Sequence, residues 1–273
     1  MEVELKLLKL QLVYDYNMRK FVLHIVTFCF LILVTSCGIS EDCFKGNGNQ
    51  ITQTFPLENF SKIKVYDGVG LVVKEGPNYE VKVKTSENII DEIEVKLEGN
   101  MLVVRDNSTC NIARDYGQTV VYVTVPDGSI LPLIQELELH CKTEQKIQSD
   151  GILHSPIIRL FSIGDDGDSA GIGNFYIHVD NGQLVVESNN ISNFYINGHC
   201  EEMLLNFYFG DGRFYGENLQ VENIKVYHRG SNDMIVYPIQ KIEGTIFATG
   251  NVILENIPPL VNVEEVFRGR VIY

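Results

Sequence analysis

From residue 174 onwards the chain repeats itself. The tetrapeptide Asn174, Phe175, Tyr176, Ile177 returns unchanged as Asn193, Phe194, Tyr195, Ile196, and looser copies begin at Arg213, Asp233 and Asn251. Successive starts lie 19, 20, 20 and 18 residues apart. A near-fixed period that carries an apolar pair between Asn, Asp and Gly marks a chain that coils and buries each turn against the next. Helical repeats need about 30 residues or more. Here Val, Ile, Phe, Tyr and Thr dominate the copies, so the coil unit is β. At about 4.8 Å per gap the marked copies stack to about 19 Å, and less regular coils are expected to extend the stack back towards Leu131. The competing reading is a meandering β-sandwich with evenly spaced hairpins.

Between Phe60 and Val125 the pattern changes to short alternating segments, FSKIKVY, GLVVKEG, YEVKVKTS, IEVKLEG, NMLVVRD and VVYVTVP. Val81 and Val83 face one way and Lys82 and Lys84 the other, the period of a sheet with one wet face. Gly68, Gly70, Gly76, Pro77 and Gly99 supply turns. A short helical interruption is expected at Glu87 to Ile93, with Ser86 as its cap and Ile89, Ile90 and Ile93 as its apolar edge. Pro258 and Pro259 are expected to end the stack, with residues 258–273 as a C-terminal cap in which Val261, Val263, Val266 and Val271 cover its edge.

The N-terminus speaks to location. From Met18 the chain reads MRKFVLHIVTFCFLILVTSC, two basic residues followed by an apolar run from Phe21 to Val34. That run is shorter than the roughly 20 residues of a membrane-spanning helix, so residues 18–36 read as a cleaved signal and residues 1–17 as an extension upstream of the true start. Val34, Thr35, Ser36 and Cys37 resemble a bacterial lipobox, which makes Cys37 the expected lipid anchor and the membrane its partner. Residues 37–54 form an acidic tether, in which Glu41 and Asp42 resemble the export signals of surface lipoproteins of the Bacteroidota, unless they are simply a solvated linker.

A formal charge of −14, with no cluster of Lys and Arg, argues against nucleic acid and against anionic lipid surfaces as partners. Membrane attachment therefore falls to acyl chains, at about 0.8 kcal/mol per buried methylene. Of six cysteines, Cys43, Cys110, Cys141 and Cys200 remain once Cys29 leaves with the signal and Cys37 is acylated, and their pairing is open. No Cys-x-x-Cys occurs, so no metal and no cofactor are expected.

Catalytic constellations are equally scarce. His140, His154, His178, His199 and His228 are scattered, without a His-Glu-x-x-His pattern, and no Gly-x-Ser-x-Gly elbow or phosphate loop occurs. His178 and His199 are one coil apart and so could meet, although exposed or capping histidines are the preferred reading. The loop from Gly164 to Gly171 carries Asp165, Asp166 and Asp168, which could hold a hard cation, although a solvated turn is preferred. Within it, Asp168, Ser169, Ala170 resembles a short O-glycosylation acceptor centred on Ser169. Tyr176, Tyr195 and Tyr215 occupy equivalent places in successive coils. They form either a stripe for stacking sugars or meeting a protein, or a stacked core, and the core reading is preferred.

The strand series from Phe60 to Val125, followed by the Gly/Asn-punctuated repeat with GSND at Gly230 and ATGNV at Ala248, resembles the putative auto-transporter adhesin head GIN domain, a family of unknown function. The resemblance runs from about Phe55 to Leu254, within a domain placed at 55–257; turns at Gly210, Asp211, Gly212 and at Thr249, Gly250 depart from the family's usual Gly-Ser-Gly. It implies an all-β right-handed parallel β-helix or solenoid on a short-strand N-terminal section, and it agrees with a lipoprotein signal. The function expected is a non-enzymatic binding or adhesion module of the outer membrane, facing the surface or the periplasm, with a glycan or protein ligand. The alternative is a β-helix lyase or hydrolase acting on polysaccharide, with Asp165, Asp166 or Asp211 in its site.

Overall fold

The computed structural model describes residues 16–25, 27, 46, 48–108, 115, 117–127, 135–164 and 171–273. The body is all-β. The early strands are β1 (Gln50–Phe55), β2 (Lys62–Tyr66), β3 (Val69–Gly76), β4 (Glu80–Ser86), β5 (Ile93–Glu98), β6 (Met101–Asp106), β7 (Thr119–Pro126), β8 (Glu136–Lys142), β9 (Ile147–Leu153) and β10 (Ile157–Ser162). Longer ones follow, β11 (Phe175–Ser188), β12 (Asn193–Phe207), β13 (Arg213–His228) and β14 (Met234–Ile246), then β15 (Val252–Leu254), β16 (Leu260–Glu265) and β17 (Val271–Ile272). All join one 17-stranded sheet that folds nearly closed around a single core.

Each long strand bends at its middle and so belongs to two parallel ladders. One ladder runs β7, β3, β9, then the first halves of β11 to β14, then β15 and β17. The other runs β6, β2, β8, β10, then the second halves of β11 to β14, then β16. The repeat is legible in the register: Phe175 pairs with Phe194, Phe194 with Phe214, Phe214 with Met234, and Met234 with Val252. Towards the other end the same inward column continues through Ile147, Leu71, Val121 and Val83. Every one of these side chains is buried, and the rings of Phe175 and Phe194 stack 4.7 Å apart.

Three of the polar residues that open a repeat, Asn174, Asp233 and Asn251, share one task. Asn174 Oδ1 accepts the backbone N–H and the side-chain N–H of Asn193 at 3.1 and 3.2 Å. Asp233 Oδ1 does the same for Asn251 at 2.9 and 3.0 Å, and Asn251 Oδ1 in turn accepts from Arg270 N at 3.0 Å. Each side chain thus satisfies a strand-starting N–H of the next coil, a contact with a net contribution of about 1 kcal/mol.

Three expectations change. The segments before Val125 are not a separate short-strand section, because β2, β3, β6 and β7 belong to the same two parallel ladders, which therefore reach well beyond Leu131. The coil of β2 and β3 sits between that of β6 and β7 and that of β8 and β9, so spatial order departs from chain order and no period survives in the sequence there. The intervening β4 and β5 lie antiparallel on β7 and β6, and β1 lies on β4, closing that end. At the other end Pro258 and Pro259 do not stop the ladders: they occupy the turn before β16, where no ladder N–H is needed, and β16 pairs with β14. The helical interruption shrinks to one 3-10 turn at Ile90–Glu92, with Ser86 Oγ accepting from Asn88 N at 3.2 Å just before it.

Candidate binding surface

Strand alternation decides which face each repeat residue takes. Phe175 and Ile177 flank Tyr176 and both point inward, so the tyrosine points out. The preferred reading of Tyr176, Tyr195 and Tyr215 as core is therefore corrected: Tyr176 is 37% exposed, and Tyr195 and Tyr215 are half-buried on the outer face. The parity of the flanking Phe and Ile carried that signal.

The three rings form a tight column. Tyr176 and Tyr195 lie 4.8 Å apart at 3°, and Tyr195 and Tyr215 lie 4.6 Å apart at 2°. Because each ring covers its neighbour's face, the column offers a ligand ring edges and hydroxyls; open faces exist only at its ends. At one end Lys146 Nζ lies 5.7 Å from the Tyr176 centroid, a cation–π contact. At the other the outward position passes to Ile235, Ile253 and Ile272. Burial, then the neighbouring phenols of Tyr215 and Tyr176, pushes the Tyr195 hydroxyl above the usual tyrosine range. Ser149, Gly151, Tyr176, His178, Tyr195 and Asn197 border a shallow groove of about 240 Å³ beside the column.

A second arrangement lies at the far ends of β3, β7 and β9. Glu75, Asp127 and His154 each place one ligating atom within 4.8 Å of the others, although 52 and 27 positions separate them in the chain. Sequence reading missed this set because the displaced order of the coils brings it together. Glu75 Oε1 accepts from Ser155 N and Oγ, both at 2.8 Å, while Oε2 accepts from His154 N at 2.8 Å and faces His154 Nδ1 at 3.0 Å. With its side chain 4% exposed and its oxygens so occupied, Glu75 ties the link between β9 and β10 to β3. A neighbouring cleft of about 710 Å³ is bordered by Phe55, Leu57, Lys74, Pro77, Tyr79 and Thr124.

The remaining candidates do not converge. His178 pairs with Asn197, and His199 with Asp180, so the two histidines are out of register; His199 instead lies between Asp180 at 3.5 Å and Glu222 at 3.9 Å. His140 stacks on Phe161 at 4.5 Å, and burial lowers its pKa despite Glu138 2.8 Å away. Asp211 sits in an exposed turn, where its carboxylate accepts from Ser231 Oγ and its carbonyl accepts from Asn232 Nδ2 at 2.6 Å. Cys141 and Cys200 are free, buried thiols, which excludes a bond between them. Cys37, Cys43, Cys110, Asp165, Asp166, Asp168 and Ser169 lie outside the described residues. Among those described, no helix is long and apolar enough to cross a membrane.

A family model described as "Putative auto-transporter adhesin, head GIN domain" matches residues 59–258. No curated protein matches the chain. Among solved structures, a putative adhesin from Bacteroides fragilis is 15% identical with a TM-score of 0.68, over 82% of this chain and 96% of the other. A putative adhesin from Parabacteroides distasonis is 12% identical with a TM-score of 0.57, over 84% and 98%. A putative lipid binding protein from Parabacteroides distasonis is 13% identical with a TM-score of 0.51, over 84% and 98%. At these identities the likeness is one of fold.

Proposed function

Because the chain belongs to the auto-transporter adhesin head GIN family, we propose that it is a binding or adhesion module of the cell envelope and that the tyrosine column is its binding face. The observation that carries this reading is the outward placement of Tyr176, Tyr195 and Tyr215 on successive strands of one ladder, whose inward neighbours Phe175, Ile177, Phe194, Ile196 and Phe214 are buried and apolar. Side chains fixed at one spacing by a sheet are already organised for an extended ligand, which lowers the entropy lost on binding. The ligand is a glycan chain or an extended protein segment that runs along the column and hydrogen-bonds its hydroxyls. Sugar rings stacked face-on against each tyrosine do not fit, since the inner ring faces are covered.

In this reading the ladders form a right-handed parallel β-helix, the module is not an enzyme, and acyl chains on Cys37 hold it to the outer membrane, on the surface or the periplasmic side. Residues 37–54 are its tether, and Ser169 is its O-glycosylation acceptor. The test compares the wild-type chain with a Tyr176→Ser, Tyr195→Ser, Tyr215→Ser variant on immobilised glycans and on crosslinked envelope proteins. Loss of a wild-type ligand by a variant that keeps its β spectrum supports the reading, and undiminished binding sinks it. Proteinase K shaving of intact cells, beside a Cys37→Ala variant, tests the anchor and the side it faces.

A further inference from the structure

The two ends of the stack are built differently. At one end the chain closes both parallel ladders with antiparallel strands, β5 on β6, and β4 with β1 on β7. Of the two outermost strands, β5 is charged along its length, with Lys96 paired to Glu94 at 2.8 Å and to Glu98 at 3.1 Å, the usual protection of a sheet edge, whereas β1, reading QITQTF, is polar but uncharged. At the other end β16 pairs only with β14 and β17 only with β15, and no described strand lies beyond them.

That end is also apolar and locally neutral. Leu260 is 50% exposed, Val266 and Phe267 54%, and Tyr273 68%. The inward residues of the last coil, Val261, Val263 and Val271, pack on the core yet stay only partly buried, and no described strand covers their outer side. Residues 258–273 carry two acidic groups, Glu264 and Glu265, against two basic ones, Arg268 and Arg270, on a chain of net charge −14. Two such acidic bodies repel each other along most of their surfaces, so an end with no net charge is where they can meet.

We infer that this end pairs with the same end of a second copy, β16 lying antiparallel to the partner's β16 about a two-fold axis through Asn262. The register is self-complementary. Val261 falls opposite Val263 of the partner subunit on the inward side, and Asn262 falls opposite Asn262 of the partner subunit on the outward side. Leu260 falls opposite Glu264 of the partner subunit, and Glu265 opposite Pro259 of the partner subunit, so no like charges face each other. A second copy thereby gives this end what β4 and β5 give the other, an antiparallel strand that closes a parallel ladder. The contact is isologous, each copy giving the same edge, so it uses that edge up and stops at two copies instead of growing into a fibre.

Sedimentation velocity of the full chain over a range of concentrations, in detergent below its micelle-forming concentration, tests the pairing. A reversible monomer–dimer equilibrium is expected. Asn262→Lys sets two lysines opposite each other and is expected to weaken dimerisation about fivefold. Leu260→Lys sets a lysine opposite the partner's Glu264 and is expected to leave dimerisation unchanged or tighten it. Both positions are exposed, so both variants should keep the wild-type β spectrum and melting temperature. A monomer at every concentration, an open-ended polymer, or equal weakening by the two lysines overturns the inference.

Discussion

Gly230 donates its backbone N–H to Nδ1 of His228 at 3.3 Å, so the ring accepts there and carries its proton on Nε2. The side chain is fully buried, with Phe207 edge-on at 6.1 Å, and burial lowers its pKa to about 4. An unfolded chain takes up this proton near pH 6.5, whereas the folded one resists until about pH 4. The unfolded state therefore binds more protons in that window, and stability falls as pH drops through it, by up to about 3 kcal/mol. The contribution is fully present above pH 6.5 or so. Denaturant midpoints at neutral and acid pH should show this loss. His228→Leu, though less stable at neutral pH because Gly230 N loses its acceptor, should show a visibly shallower acid slope.

The inward column and the outward column should respond differently to truncation. Phe194→Ala opens a cavity beside Phe175 in the fully enclosed core and is expected to cost about 3–5 kcal/mol. Tyr195→Ala, one residue later on the wet face, is expected to cost about 1 kcal/mol, chiefly the two ring contacts. Equal losses in chemical unfolding would contradict the assignment of faces.

Gly198 has φ of 112°, and a Cβ placed there would lie 1.9 Å from the carbonyl oxygen of Val179 in the coil below. Gly198→Ala must push two paired strands apart and is expected to cost more than about 2 kcal/mol. Gly99→Ala is the comparison: φ is 64° but the space is open, so only backbone strain of about 1 kcal/mol is expected. Melting temperatures of the two variants should separate clearly.

Burial pushes the thiol of Cys141 up to about 11 and that of Cys200 up to about 12. At mildly alkaline pH both stay protonated in the folded chain, so iodoacetamide should label neither until denaturant is added. Peptide mapping that finds either labelled without unfolding would contradict their enclosure.

The repeat was legible because it is local: the first three copies each carry their own inward Phe and outward Tyr, and the last two keep apolar residues, Met234 and Ile235, then Val252 and Ile253, at the same places. Even there, identical placement in successive coils could not by itself choose a face; the neighbours Phe175 and Ile177 did. The N-terminal coils were legible as strands but not as a stack, since β2 reaches β6 and β8 across long separations and the excursion through β4 and β5 erases the period. The grouping of Glu75, Asp127 and His154 follows from that same reordering and leaves no trace in spacing. Pro258 and Pro259 misled because a proline ends a strand as readily by opening a turn as by ending a fold.

A chain leaving the ribosome makes β2 and β3 before any other strand of the two parallel ladders, yet both their edges wait for partners: one for β6 and β7, the other for β8 and β9. One side of this pair stays unsatisfied until residue 126 has emerged, and the other until residue 153. Assembly of this half waits on those long separations, whereas each later repeat adds to a finished template. A chain truncated after β7 would carry an open ladder edge and be a natural target for chaperones and proteases.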